Sequence, residues 1–122
     1  VFSESKPDKA SDFQINTAQL ILSEMASQAI ADGKRWFPDT GKNLFFMIAC
    51  MGGEAGEAIN IAKKIERGDT TYFDKHIQHD LREEIVDVFT YMLNVVHLLD
   101  MDLIEEYYKK RTFNEERFGR QK

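Results

Sequence analysis

Little in this chain can cross-link or interrupt it: there is one cysteine, Cys50, and there are two prolines. A lone thiol has no partner within the chain, so a structural intrachain disulfide is excluded and a reducing, cytoplasmic setting is expected. With 43% hydrophobic residues and so few prolines, the composition fits a folded domain rather than disorder. No basic start leads through an apolar middle to a small-residue cleavage site, and no apolar run approaches the roughly 20 residues of a spanning helix, so no membrane partner is expected. Alternation of the β type, internal repeats and low-complexity tracts are missing too. The 16 basic residues against 21 acidic ones leave a net charge of -5, which gives no basic footprint for nucleic acid. A polyanionic small molecule stays admissible, because a bound divalent ion reverses the local sign.

What is present is helical period. The 122 residues suffice for one compact domain. Residues 1–11 mix polar and charged types without period and read as a flexible leader, with the domain over 12–122. Phe13, Ala18, Ile21, Leu22, Met25 and Ala29 predict a first helix from about Asp12 to Asp32, stopped by Gly33. An ordered loop, Lys34 to Lys42, follows. Asn43 is expected to cap a second helix from Leu44 to Glu66, ended by Gly68. Asp69 to His79 reads as irregular, with a short helical turn around Tyr72 to Lys75. A third helix is expected from Asp80 to Leu99, and a turn over Asp100 to Asp102 leads into a fourth from Leu103 to Glu116. The fold class is therefore all-α, a four-helix-type bundle. Short amphipathic helices with off-stripe apolar residues such as Leu20 and Ile30 predict a homo-oligomer, a homodimer or a homotetramer.

The informative feature is where acids fall. Met47, Cys50, Glu54, Glu57 and Ile61 follow at steps of three or four, so two glutamates occupy a face otherwise built for a core. On the third helix Leu81, Glu84, Asp87, Val88, Tyr91, Val95 and Leu98 repeat the arrangement. Acids one turn apart repel, and an ionised carboxylate removed from water costs several kcal/mol unless compensated. Lys63, Lys64 and Arg82 fall off these stripes, so a divalent cation is the economical partner. Oxygen ligands alone favour Mg2+, with Mn2+ as a substitute, over Zn2+. A ferritin-like di-iron site is disfavoured, since no glutamate has a histidine three residues later. Gly52, Gly53 and Gly56 surround the first acidic pair and predict either close approach of a backbone or ligand, or a tight helix crossing.

Glu54-Ala-Gly-Glu57, then 26 residues, then Glu84-Ile-Val-Asp87 with Val88 and Tyr91, resembles the paired acidic signature of the MazG-like all-alpha nucleotide pyrophosphohydrolases. Lys110, Asn114, Arg117 and Phe118 are spaced as in that family's C-terminal motif, so the likeness covers about 43–118. The resemblance implies Mg2+-dependent hydrolysis of a nucleoside triphosphate to the monophosphate and pyrophosphate, in nucleotide-pool cleansing, by a dimer or tetramer. It implies that Glu54, Glu57, Glu84 and Asp87 hold metal and that Tyr91, Lys110 and Asn114 approach phosphates or sugar. Lys64 stands where some relatives stack a base on an aromatic, and Phe118 where some have tyrosine, so base preference does not carry over.

An acid not used up in coordination, Glu54 or Glu57 by position, is the candidate to take a proton from an attacking water. Trp36 and Phe37 are candidates to stack on a base, although such residues more often bury a loop or an interface. Lys42 and Asn43 lie where a helix start favours phosphate. His76 and His79, with Glu83 a turn later, read as solvated, and His97 as packed or at an interface. Two further readings compete: a helical assembly protein holding a structural ion, and a nucleotide sensor without hydrolysis.

Overall fold

A computed structural model describes residues 8–38 and 43–119, and these residues form four α-helices with no strand among them. Helix α1 spans Asp12–Trp36, α2 Leu44–Glu66, α3 Lys75–Leu98 and α4 Leu103–Phe118. The all-α class expected from the periodicity is the observed one. Of the expected leader, residues 1–7 lie outside the described residues, and 8–11 carry no helix.

Each start has a local cause. Ser11 and Gln14 cap α1 reciprocally, Ser11 N donating to Gln14 Oε1 and Gln14 N to Ser11 Oγ. Asn43 Oδ1 accepts from Phe46 N at 2.7 Å, the expected cap of α2. Asp102 accepts from Glu105 N at the head of α4.

Two boundaries differ from expectation. Helix α1 runs through Gly33 to Trp36, with Phe37 N still donating to Gly33 O. Glycine weakens a helix interior by about 1 kcal/mol but does not forbid it. The stop is Pro38, which steers the residue before it out of helical conformation. Helix α3 begins at Lys75 rather than Asp80, because Asp74 accepts from both His76 N and Ile77 N. The segment 75–79 is therefore helix, its character hidden because Lys75, His76 and His79 are polar and exposed.

The ends of α2 and α3 share one design. Gly68 N donates to Ile65 O and Asp69 N to Lys64 O; Asp100 N donates to His97 O and Met101 N to Val96 O. Both corners close with a left-handed residue, Gly68 at φ 82 and Asp100 at φ 48.

The chain divides into two compact units. One comprises Met25–Met101: the second part of α1, α2 and α3, with α2 packed extensively on α3. Its buried apolar residues are Ala26, Met47, Leu93, Val95 and Val96. The other comprises, among the described residues, 8–24 and 102–119. There Gln19 Nε2 donates to Asp102 Oδ2 at 2.8 Å, and the Lys9 ammonium lies 5.5 Å from the Tyr108 ring centre.

Large apolar side chains remain in solvent on α2 and α3, among them Phe45, Ile48, Ile59, Ile85 and Val86. By length and composition α2 is long and apolar enough to cross a membrane. Run-by-run reading misses this, because Glu54 and Glu57 interrupt the apolar residues.

Candidate metal centre

The packing of α2 on α3 sets their acidic turns face to face. Glu54, Glu84 and Asp87 each offer one carboxylate oxygen, and the three oxygens lie within 4.8 Å of one another. The inward-facing acids expected from the stripe pattern thus meet as three of the four. Glu57 is the exception: it lies outside this trio and is exposed, yet its charge still acts on Glu84.

The electrostatic consequence falls on Glu84, whose pKa rises from 4.5 to about 7. A hydrogen bond with Glu54 is the largest cause, followed by burial and by the charges of Glu57 and Glu54. Glu84 Oε2 is sealed from solvent and has no hydrogen-bond donor. No lysine or arginine among the described residues forms an ion pair with any of the four acids. Three oxygen donors from two helices, one of them orphaned, fit a hard divalent cation in ligand type and charge.

Beside the acids opens a cleft of about 430 Å³. Glu54 and Asp87 line it together with Tyr91 and Trp36, two residues singled out from the sequence. Burial first, then Cys50, then the charges of Glu54 and Asp87 raise the pKa of Tyr91, so its hydroxyl stays protonated and is available as a donor. Trp36 reaches the cleft as the last residue of α1, not from a loop, and Phe37 follows it there.

Other sequence candidates lie elsewhere. Lys110 and Asn114 belong to the other unit, where with Tyr107 and Phe118 they line a groove of about 350 Å³ on α4. The Lys110 ammonium sits 4.7 Å from the Phe113 ring centre. Lys42 lies outside the described residues. His79, Asp80 and Glu83 form a second cluster, exposed at all three residues, with His79 Nε2 3.5 Å from Glu83. His76 is not part of it, and the solvated reading of these histidines agrees with that exposure. His97, expected to be packed or at an interface, is not packed within the chain but exposed, as an interface residue would be in a lone protomer.

The glycine readings are narrowed: a Cβ added at Gly52, Gly53 or Gly56 meets nothing within 4 Å, so among the described residues no crossing helix or other backbone presses on them, and the approach of a ligand is the reading left within one protomer. Sequence reasoning also passed over Phe46 and Asn94, which line the cleft. Asn94 lies three residues beyond Tyr91 on the acidic stripe, a position where asparagine resembles an ordinary core polar residue.

No protein-family model, curated protein or solved structure matches the chain.

Proposed function

We propose that the chain is a Mg2+-dependent nucleoside triphosphate pyrophosphohydrolase of MazG-like type, releasing the monophosphate and pyrophosphate. The observation that carries this reading is the convergence of Glu54, Glu84 and Asp87 within 4.8 Å, with Glu84 Oε2 buried and unpartnered, at the edge of a cleft with aromatic walls.

Glu54, Glu84 and Asp87 would hold the ion, for which Mn2+ can substitute. A bound hard cation supplies charge neutralisation for a triphosphate and lowers the pKa of a bound water. Glu57 stands outside the ligand trio and is exposed, which suits it to accept a proton from the attacking water. Tyr91 donates its hydroxyl proton to a phosphate or sugar oxygen, while Trp36 at the rim offers a face to the base. Positioning and charge stabilisation are most of what phosphoryl chemistry demands.

The same reading includes a second copy of the chain. Few apolar side chains are buried within one protomer, while Phe45, Ile48 and Ile59 on α2 are exposed beside the unfilled space at Gly52 and Gly53. Glu54 and Glu57 in the middle of α2 argue for a protein partner over lipid on this helix. A homodimer or homotetramer would bury that surface.

The test is direct: incubate purified protein with Mg2+ and a panel of canonical and modified nucleoside triphosphates, and resolve the products. Monophosphate and pyrophosphate in equal amounts are expected. Absence of turnover across the panel in a well-folded sample would favour a non-catalytic metal-binding assembly.

A further inference from the structure

Of the polar residues that line the cleft, Asp32, Glu54, Asp87, Thr90, Tyr91 and Asn94, only Asn94 is buried. Asn94 is the only polar residue buried as a whole among the described residues, at 5% exposure, and it lines the cleft with Trp36, Phe37, Phe46 and Met47. Its Nδ2 donates to Thr90 O at 2.9 Å, a bond back along its own helix. One N–H and the carbonyl Oδ1 remain, and no described residue bonds to either. Asn94 is one of the residues that line the cleft, so a ligand bound there lies against it. An amide oxygen among apolar groups without a donor is unfavourable, and an incoming ligand that supplies one is rewarded.

Its position on α3 matters as much. Asn94 follows Asp87 by seven residues, which along a helix is about 10 Å. That separation suits a nucleotide whose phosphates meet the acids and whose base lies deeper along α3. Aromatic walls alone accept any planar ring, since every base has a π-face. Discrimination requires a polar group that an unsuitable base leaves unpaired.

We propose that Asn94 is the specificity-determining residue of the cleft, its amide selecting a nucleobase whose edge presents a hydrogen-bond donor to Oδ1 beside an acceptor for the remaining N–H. The inference rests on the nucleotide reading above and names the group within that site that distinguishes one base from another. The walls hold the ring; Asn94 reads its edge.

The test is binding rather than turnover. Nucleoside monophosphates carrying each common base are titrated by calorimetry into wild type, Asn94→Leu and Asn94→Ser, with helicity checked by circular dichroism. The best binder is then compared with its analogue lacking the donor, an amino group replaced by hydrogen or a ring N–H by N–methyl. Wild type is expected to lose about tenfold or more in affinity for the analogue, and in a folded variant the ratio is expected to fall within about twofold. Wild type that binds no monophosphate, or binds analogue and parent alike, overturns the inference, as does a folded variant that keeps the ratio. Base discrimination by Asn94 without triphosphate hydrolysis would remove the pyrophosphohydrolase reading and leave this one standing. Hydrolysis with an unchanged ratio would do the reverse.

Discussion

The carboxylates of Glu54 on α2 and Glu84 on α3 come within 4.8 Å of each other, and the hydrogen bond between them is the main reason Glu84 keeps its proton up to about pH 7. Neither helix could hold such an acid pair by itself; it is a product of their packing. Most of what can be tested about the site follows from it.

The first consequence is a pH dependence of stability in the ion-free protein. The folded state binds the Glu84 proton more tightly than the unfolded chain does, since the pKa rises from 4.5 to about 7. The stabilisation is therefore fully present below about pH 4.5 and is lost as pH rises through about 7. In the presence of chelator, the melting temperature of wild type should fall over this interval relative to Glu84→Gln. Parallel curves for the two proteins would show that no such proton is held.

Ion uptake should compete with that proton. Titration with Mn2+ followed by electron paramagnetic resonance is expected to show saturable binding at millimolar ion or below, with proton release near pH 6. Asp87→Asn should weaken binding by about tenfold or more, the scale on which even outer partners of a metal site act. An unchanged titration curve would remove Asp87 from the ligand set.

Glu57 separates catalysis from binding. If it takes the proton of the attacking water, Glu57→Gln should lower turnover by about 10²- to 10⁴-fold while nucleotide affinity is kept. Rapid-quench product analysis beside calorimetry reads the two quantities independently. An unaltered rate would assign the proton to another group.

Assembly can be read at the glycine face of α2. No described residue fills the space at Gly53, so Gly53→Ala in an isolated protomer should raise stability by up to about 1 kcal/mol through helix propensity alone. If a second copy packs there, the same change, like Ile59→Glu, should instead weaken assembly as judged by light scattering. A wild-type protein that is monomeric at micromolar concentration would rule the second copy out.

Much of this was legible in the sequence because it is written in local signals. Asn43, Gly68 and Asp102 mark ends of helices through bonds that span a few residues, and the acidic stripe follows from helical period alone. Gly33 misled because glycine only weakens a helix, whereas Pro38 ends one. Asp74 does not stand out as a cap because the segment after it carries mostly polar side chains, which look the same on an exposed helix as in a loop. Trp36 and Asn94 come to one cleft from α1 and α3, a relation between distant segments that no spacing encodes. The open space around the glycines was beyond reach for the same reason.

The two left-handed corners carry a practical consequence. Gly68 adopts its φ of 82 freely, while Asp100 at φ 48 bears a side chain in the same region of backbone space. Asp100→Gly should relieve about 1 kcal/mol at the corner between α3 and α4, well away in sequence from the acids. It would give a sturdier background in which Glu54, Glu84 or Asp87 can be replaced one at a time, so that a lost activity reports on chemistry and not on collapse.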